Sequence, residues 1–294
     1  MIERGHGDEV ERQARNGDWN CAQAFARELI EQDRLDAAME LLTPFVDSGW
    51  WPAASVAAGY LDEGGRMHDA IALVRPHAEA GKRPAVHRMG SLLAECGRGE
   101  AAFELLLPHA QDWYLAKLLV KVSVGLGRDD EVTALLLPQV EAWLELGEWR
   151  FHQSLGLVAA VYERQGRLDE ALDLLLTKSA SSVNYREQLA DLLAEHGRLE
   201  ELREYIAGEG GSYAAWSLVK LLESRGDIEG AIAVLRPLAA DDPHHAAIYL
   251  AELLERHGRT DEAIAVLVPI IGSLAEPGSV QTFLCLSSRC RCVL

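Results

Sequence analysis

The sequence predicts an all-α fold, a right-handed α-solenoid of about eight antiparallel helix pairs. Three observations carry this: a helix-favouring composition, a short phrase that recurs along most of the chain, and apolar residues spaced at three and four between the recurrences. Aromatic residues make up only 6% of the 294 positions and Pro only ten of them, while Leu, Ala, Glu and Arg dominate, which leaves little for a sheet.

The recurring phrase is Gly-Arg, an acidic residue two positions after the Arg, then Ala and an aliphatic run, clearest at 166–172 and 258–264. Its anchor falls at Gly65, Gly97, Gly127, Gly166, Gly197, Gly226 and Gly258, with Asp33 in the equivalent place of a first copy. The successive steps are 32, 32, 30, 39, 31, 29 and 32 residues. Before each anchor lies an amphipathic stretch such as Ile248-Tyr249-Leu250-Ala251-Glu252-Leu253-Leu254, read as helix A of a pair. The anchor Gly then sits where a helix ends in the left-handed conformation, which a residue without Cβ adopts at little cost. Three residues later come Asp36, His68, Glu100, Asp130, Asp169, Glu200, Glu229 and Asp261, acidic in all copies but one, which places the positive end of helix B there.

Small residues explain how a pair closes. Seven before the anchor stand Ala26, Ala58, Gly90, Val120, Ala159, Ala190, Val219 and Ala251, and five after it Ala38, Ala70, Ala102, Val132, Ala171, Leu202, Ala231 and Ala263. Larger residues four before the anchor (Leu29, Leu61, Leu93, Leu193, Leu222, Leu254) and nine after it (Leu42, Val74, Leu106, Leu136, Leu175, Ile206, Leu235, Leu267) supply an apolar seam. A single pair cannot bury that seam, so pairs must stack.

This order of Leu250-Ala251, Leu254, Gly258, Ala263 and Leu267 resembles the tetratricopeptide repeat, from about Trp19 to Ile271. Two departures stand out. Pro44, Pro76, Pro108, Pro138, Pro237 and Pro269 fall eleven after the anchor, within or at the end of helix B, where each is expected to kink or stop it. Most steps are also shorter than the 34 residues usual for that family.

The segments divide accordingly. Residues 1–17, with the polar stretch Asp8 to Arg15, form an N-terminal cover for the first repeat; 18–138 hold repeats 1–4; 139–272 hold a junction and repeats 5–8. The 39-residue step reads as an extension of helix B through Gln139 to Leu146 and a short connection, dividing the array into two blocks. Trp143 and Trp149 there either cover the enlarged junction or anchor a partner. Residues 273–294 begin an incomplete ninth helix A at Val280 to Leu286 and then lose the pattern. Cys285, Cys290 and Cys292 in that tail leave three readings open: a thiolate metal site, an interrupted longer array, or an irregular tail.

A formal charge of −18 opposes the phosphate neutralisation that a nucleic-acid binder needs, so nucleic acid is not an expected partner. No apolar run is long enough to span a bilayer, and the start Met1 to His6 lacks the charged-then-apolar pattern of a signal peptide. No membrane partner is expected, and the expected location is the cytoplasm. Cys21 and Cys96 lie isolated in helical patterns and form no disulfide framework. The abundance of Arg over Lys fits GC-rich bacterial coding.

No catalytic pattern stands out. Gly208-Glu209-Gly210-Gly211 lacks the spacing of a phosphate loop and reads as a turn, His244-His245 lie at a helix start, and His196 and His257 precede anchor glycines as capping residues. The acidic residues after each anchor already have a structural explanation. No enzyme activity, cofactor or metal site is therefore expected.

In tetratricopeptide arrays the concave groove is lined chiefly by helix A positions ten and six before the anchor. The resemblance thus assigns to the groove Arg27, His87, Ser91, Lys117, Lys121, Glu187, Asp191, Trp216, Lys220, Ile248 and Glu252. Lys117 and Lys121 are four apart on one helical face, and with Tyr114, Tyr213, Trp216 and Lys220 they make cationic and aromatic points in an acidic molecule. The implied function is a non-enzymatic scaffold or adaptor that holds a peptide or protein segment, with self-association through the C-terminal end as a further expectation. The alternative is a regulatory sensor that binds a small peptide or metabolite and signals through a separate output protein.

Overall fold

In a computed structural model the described residues are 7–146, 152–177, 183–241 and 245–274. They contain seventeen α-helices and no strand, an all-α helical solenoid. The chain forms two compact units, Met1–Arg167 and Leu168–Leu294.

In the first unit, α1 (Gly7–Arg15) precedes four helix pairs: α2 (Trp19–Glu31) with α3 (Leu35–Asp47), α4 (Trp51–Glu63) with α5 (Met67–Glu79), α6 (Arg83–Glu95) with α7 (Gly99–Leu106), and α8 (Trp113–Val122) with α9 (Asp129–Leu146). α10 (His152–Arg164) closes this unit by packing on α9 and α8. In the second unit, α11 (Leu168–Leu176) packs on α12 (Val183–Glu195), which is followed by α13 (Leu199–Tyr205). Two further pairs complete it: α14 (Gly211–Ser224) with α15 (Ile228–Asp241), and α16 (Ala246–Arg256) with α17 (Thr260–Leu274).

All eight anchors take the left-handed conformation, from Asp33 at φ 59° to Gly166 and Gly226 at 77°. At most of them the amide of the following residue donates to the carbonyl five residues back, as Arg66 does to Leu61 (2.7 Å), Arg198 to Leu193 (2.8 Å) and Arg259 to Leu254 (2.9 Å). This is the Schellman closure. It sets the reversal and fixes the seam leucine four before the anchor at the same turn. Helix B begins two residues after the anchor, one earlier than the acidic position suggested, because the residue after the anchor already serves as N-cap.

The small positions are buried throughout. All eight residues seven before the anchor and all eight residues five after it lie in the interior, Ala26, Ala58, Ala38, Ala70 and Ala102 at 0% exposure. Close approach of A and B requires this, and Gly90 shows how tight it is: a Cβ added there would meet Leu118 Cδ2 at 3.1 Å and Leu106 Cδ1 at 3.2 Å.

Of the two outcomes expected of the prolines, a stop occurs at only one of five, Pro44, Pro76, Pro108, Pro138 and Pro237. α3, α5, α9 and α15 continue beyond Pro44, Pro76, Pro138 and Pro237, and only α7 ends before its proline, passing into a 3-10 turn at Leu107–His109. Pro44, Pro76, Pro138 and Pro237 are exposed, so the carbonyl each leaves without an amide donor faces water on the outer side of helix B, and the last turn survives.

α9 runs 18 residues, the extension of helix B read from the sequence. The polar side chains that brace it are buried. Gln139 donates to the carbonyl of Ala110 (3.0 Å) and accepts from Ser154 Oγ on α10 (2.9 Å). Arg164 reaches from α10 to Asp129, to Ser123 Oγ (2.7 Å) and to the carbonyl of Val120 (2.9 Å), so it substitutes for the apolar seam residue that Ser123 replaces in α8. Val10 and Ala14 of α1 are buried, and α1 packs on α2. Residues 147–151 and 275–294, with Trp149 and the three tail cysteines, lie outside the described residues, as does the side chain of Trp143.

Candidate functional site

Within each unit a helix A paired with its own helix B buries one face against it and leaves another accessible, and the ten-before and six-before positions are half-buried or exposed. On α6 and α8 this produces one cluster. The imidazole of His87 stacks on the ring of Tyr114, centroids 4.3 Å apart and 22° between planes. Arg83, one turn before His87 on α6, lies over the same ring at 4.9 Å and over Trp113 at 5.8 Å, held by a two-pronged contact with Asp112 (2.7 and 2.6 Å). Asp112 also caps α8 by accepting from the amide of Tyr114 at 3.0 Å. Burial pushes the His87 pKa below its ordinary value, and the nearby charges of Arg88 and Lys121 push it further the same way. His87 is therefore a neutral ring at pH 7.

Lys117 and Lys121 extend from the same face of α8 and are exposed. Among the described residues neither has a carboxylate within ion-pair distance, whereas Arg83 is held by Asp112 and Arg88 by Asp62 (2.9 Å). Arg27 on α2 is likewise exposed, but it stands three helix pairs away from Lys117 and is not part of this cluster.

In the second unit the candidate residues keep other company. Trp216 packs edge-on against Tyr249 at 4.8 Å. Tyr249 donates to Glu223 (3.0 Å), and Glu223 is also held by Arg256 (2.8 Å). Burial, and then the Glu223 carboxylate, raise the Tyr249 pKa. Lys220 is exposed on the same helix, while Asp191 accepts from Ser217 at 2.7 Å. Tyr213 belongs to α14, and its side chain lies outside the described residues. Sequence reasoning grouped Tyr114 with Lys117 and Lys121 and placed His87 on the groove face without pairing it with Tyr114, and it missed Arg83, Trp113 and Tyr249. Arg83 and Trp113 share a register, fourteen before their anchors, and that was the available signal.

No group of His, Cys, Asp and Glu among the described residues is arranged to hold a metal ion, and none of the described helices is long and apolar enough to cross a membrane. The Gly208 region, read as a turn, breaks the helix at φ −102°, ψ −116° between α13 and α14.

A register of helical hairpins closed by left-handed anchors defines an α-helical repeat protein. The family model described as tetratricopeptide repeat matches residues 222–277, and the same anchor and small-residue register recurs through the earlier pairs. Over residues 222–277 the chain is thus similar to the tetratricopeptide repeat. Solved structures to which it is similar include Naa15/Naa10 bound to HypK-THB (14% identity, TM-score 0.35, covering 88% of this chain and 42% of that one). Two others are the APC/C hetero-tetramer Cut9–Hcn1 (12%, 0.33, 89% and 67%) and a monomeric IFIT1 mutant with m7Gppp-AAAA (16%, 0.33, 89% and 61%). The chain thus spans less than half of the first of these and less than two thirds of the third. A search of curated proteins finds no match.

Proposed function

We propose that this protein is a non-catalytic scaffold or adaptor that binds a peptide or protein segment along the concave, helix A side of its repeats, in the bacterial cytoplasm. Tetratricopeptide repeats serve protein interaction in general, and the observation that carries the particular reading is the cluster of His87, Tyr114 and two unpaired lysines on the free face of α6 and α8. Pre-stacked rings on rigid helices offer anchor points at reduced ordering cost, and the exposed cations add charge. The test is affinity capture with the wild-type chain and with Lys117→Glu, Lys121→Glu and Trp216→Ala combined. Loss of captured partners is expected, and unchanged capture removes the groove from the proposal.

Self-association through the C-terminal end belongs to the same proposal. Ile264 and Val268 of α17 are 49% and 58% exposed, whereas Ile71, Phe103, Leu172 and Ile232, in the register position of Ile264, are buried. Light scattering on wild type and on Ile264→Glu/Val268→Glu decides this point, a wild-type monomer at high concentration being the adverse result.

A further inference from the structure

We infer that the helix A face of the first unit is a track for an extended acidic peptide segment, read through side-chain carboxylates rather than a chain terminus. The inference deepens the proposed peptide-binding reading and depends on it. Three features of this face carry it: its charge, its length and one glycine.

The chain contains 46 Asp and Glu, yet none occupies the ten-before or six-before position of the first five repeats. Those positions hold Arg27 on α2, Ser55 and Gly59 on α4, Ser91 on α6, and Lys117 and Lys121 on α8 as their chief members. In the second unit the same positions include Glu187, Asp191 and Glu252. The exposed cations at these positions, Arg27, Lys117 and Lys121, have no ion-pair partner among the described residues, while the flanking Arg83 and Arg88 do. A line of groove positions with no carboxylate and with free cations, flanked by Asp62 and Asp112 that are already paired to Arg88 and Arg83, is complementary to an anionic chain in a molecule of charge −18.

Length decides between a terminus and a segment. Arg27 and the α8 lysines are three helix pairs apart, and pairs stacked at about 10 Å put them roughly 25–30 Å from each other. One terminal carboxylate cannot reach both ends. About eight residues of extended chain can.

Gly59 is the third feature. It lies inside α4, where Gly is a poor helix former, and a Cβ placed there would have no atom within 4 Å. No packing contact and no positive φ explains it, in contrast to Gly90, which Leu118 and Leu106 crowd. A bare backbone midway along the strip leaves room for a ligand chain to pass close to α4.

The experiment uses the full chain and fluorescence anisotropy with a labelled, acetylated and amidated dodecapeptide of alternating glutamate and glycine. A glutamine–glycine version and an acidic tetrapeptide with a free C-terminus serve as comparison arms. The acidic dodecapeptide should bind at least about tenfold more tightly than either, with an affinity that falls as salt rises. Lys117→Glu/Lys121→Glu should weaken it about tenfold or more, and Arg27→Glu by about threefold. Gly59→Leu should weaken it about tenfold while leaving the Tm unchanged or higher, a pairing that a structural role for Gly59 does not produce. Equal affinity for the glutamine version overturns the charge reading but leaves peptide binding on this face intact. Equal affinity for the tetrapeptide overturns the extended track. No binding of the acidic dodecapeptide at low salt, or wild-type affinity in both Gly59→Leu and the lysine variant, overturns the inference altogether.

Discussion

Asp33 stands alone among the anchors. Seven of the eight are glycines, and Asp33 holds φ 59° with a Cβ that the left-handed region penalises by about 1–2 kcal/mol. Its neighbours still close the turn, since the Arg34 amide donates to the Leu29 carbonyl at 2.8 Å. Asp33→Gly should therefore stabilise the protein, by less than about 1 kcal/mol because glycine also loosens the unfolded chain, and urea unfolding would measure it. A destabilised variant would mean that the Asp side chain contributes to the cap. At this scale the sequence was largely legible: the anchors were identified from spacing and take the left-handed conformation, and the small pairs and all seam residues but Ile206 and Leu267 are buried. His87 was legible only as a position. That it is a half-buried ring stacked on Tyr114 depends on two residues from different helices, and no local pattern announces it.

At the level of elements, the joint between α8, α9 and α10 departs most from the repeat. Ser123 occupies the place of the seam leucine, and α8 is correspondingly short, so Arg164 and Gln139 bridge the gap with hydrogen bonds. Gln139 is 8% exposed and Ser154 1%. Gln139→Ala leaves the Ser154 hydroxyl without its acceptor and the Ala110 carbonyl without its donor, which should cost about 1–3 kcal/mol in chemical denaturation. A change below about 0.5 kcal/mol would show that water replaces the amide without loss. The sequence revealed that helix B is extended here, through its long step and continuous pattern. It did not reveal the brace, because Gln139 and Ser154 are ordinary surface residue types whose burial arises only when α10 packs on α9.

Across each unit, one ladder runs from pair to pair. The Arg after the anchor bonds both to a Glu or Asp in its own helix B and to the acidic residue three after the previous anchor: Arg66 to Asp69 and Asp36 (2.7 Å each), Arg128 to Glu131 and Glu100, Arg198 to Glu201 and Asp169, Arg259 to Glu262 and Glu229. The acidic position was read as complementing a helix dipole, and it also receives the next repeat's guanidinium. The ladder has two gaps, beside Arg98, where both acceptors are replaced by His68 and Ala101, and after Gly226, where Asp227 stands in place of the Arg. These pairs are exposed and individually weak, so their effect is collective and salt-dependent. Changing Arg66, Arg128, Arg198 and Arg259 together to Gln should lower the Tm at low ionic strength, and the difference should shrink in about 1 M salt, where the Debye length is about 3 Å. An equal deficit at both salt levels would assign the effect to lost packing of the Arg stems instead.

What the sequence determined by itself was the periodic part: the number of helix pairs, their reversal points, and the faces they bury. These follow from local chemistry repeated eight times, so each copy corroborates the next. The tertiary structure decided what repetition averages away. It fixed which surface prolines a helix tolerates, which polar residues are enclosed at α9 and α10, how the Arg ladder links one repeat to the next, and which free cations remain once their neighbours are paired. The enclosed polar residues, the ladder and the paired cations depend on contacts between residues 15 to 44 apart in the chain, where spacing carries no signal.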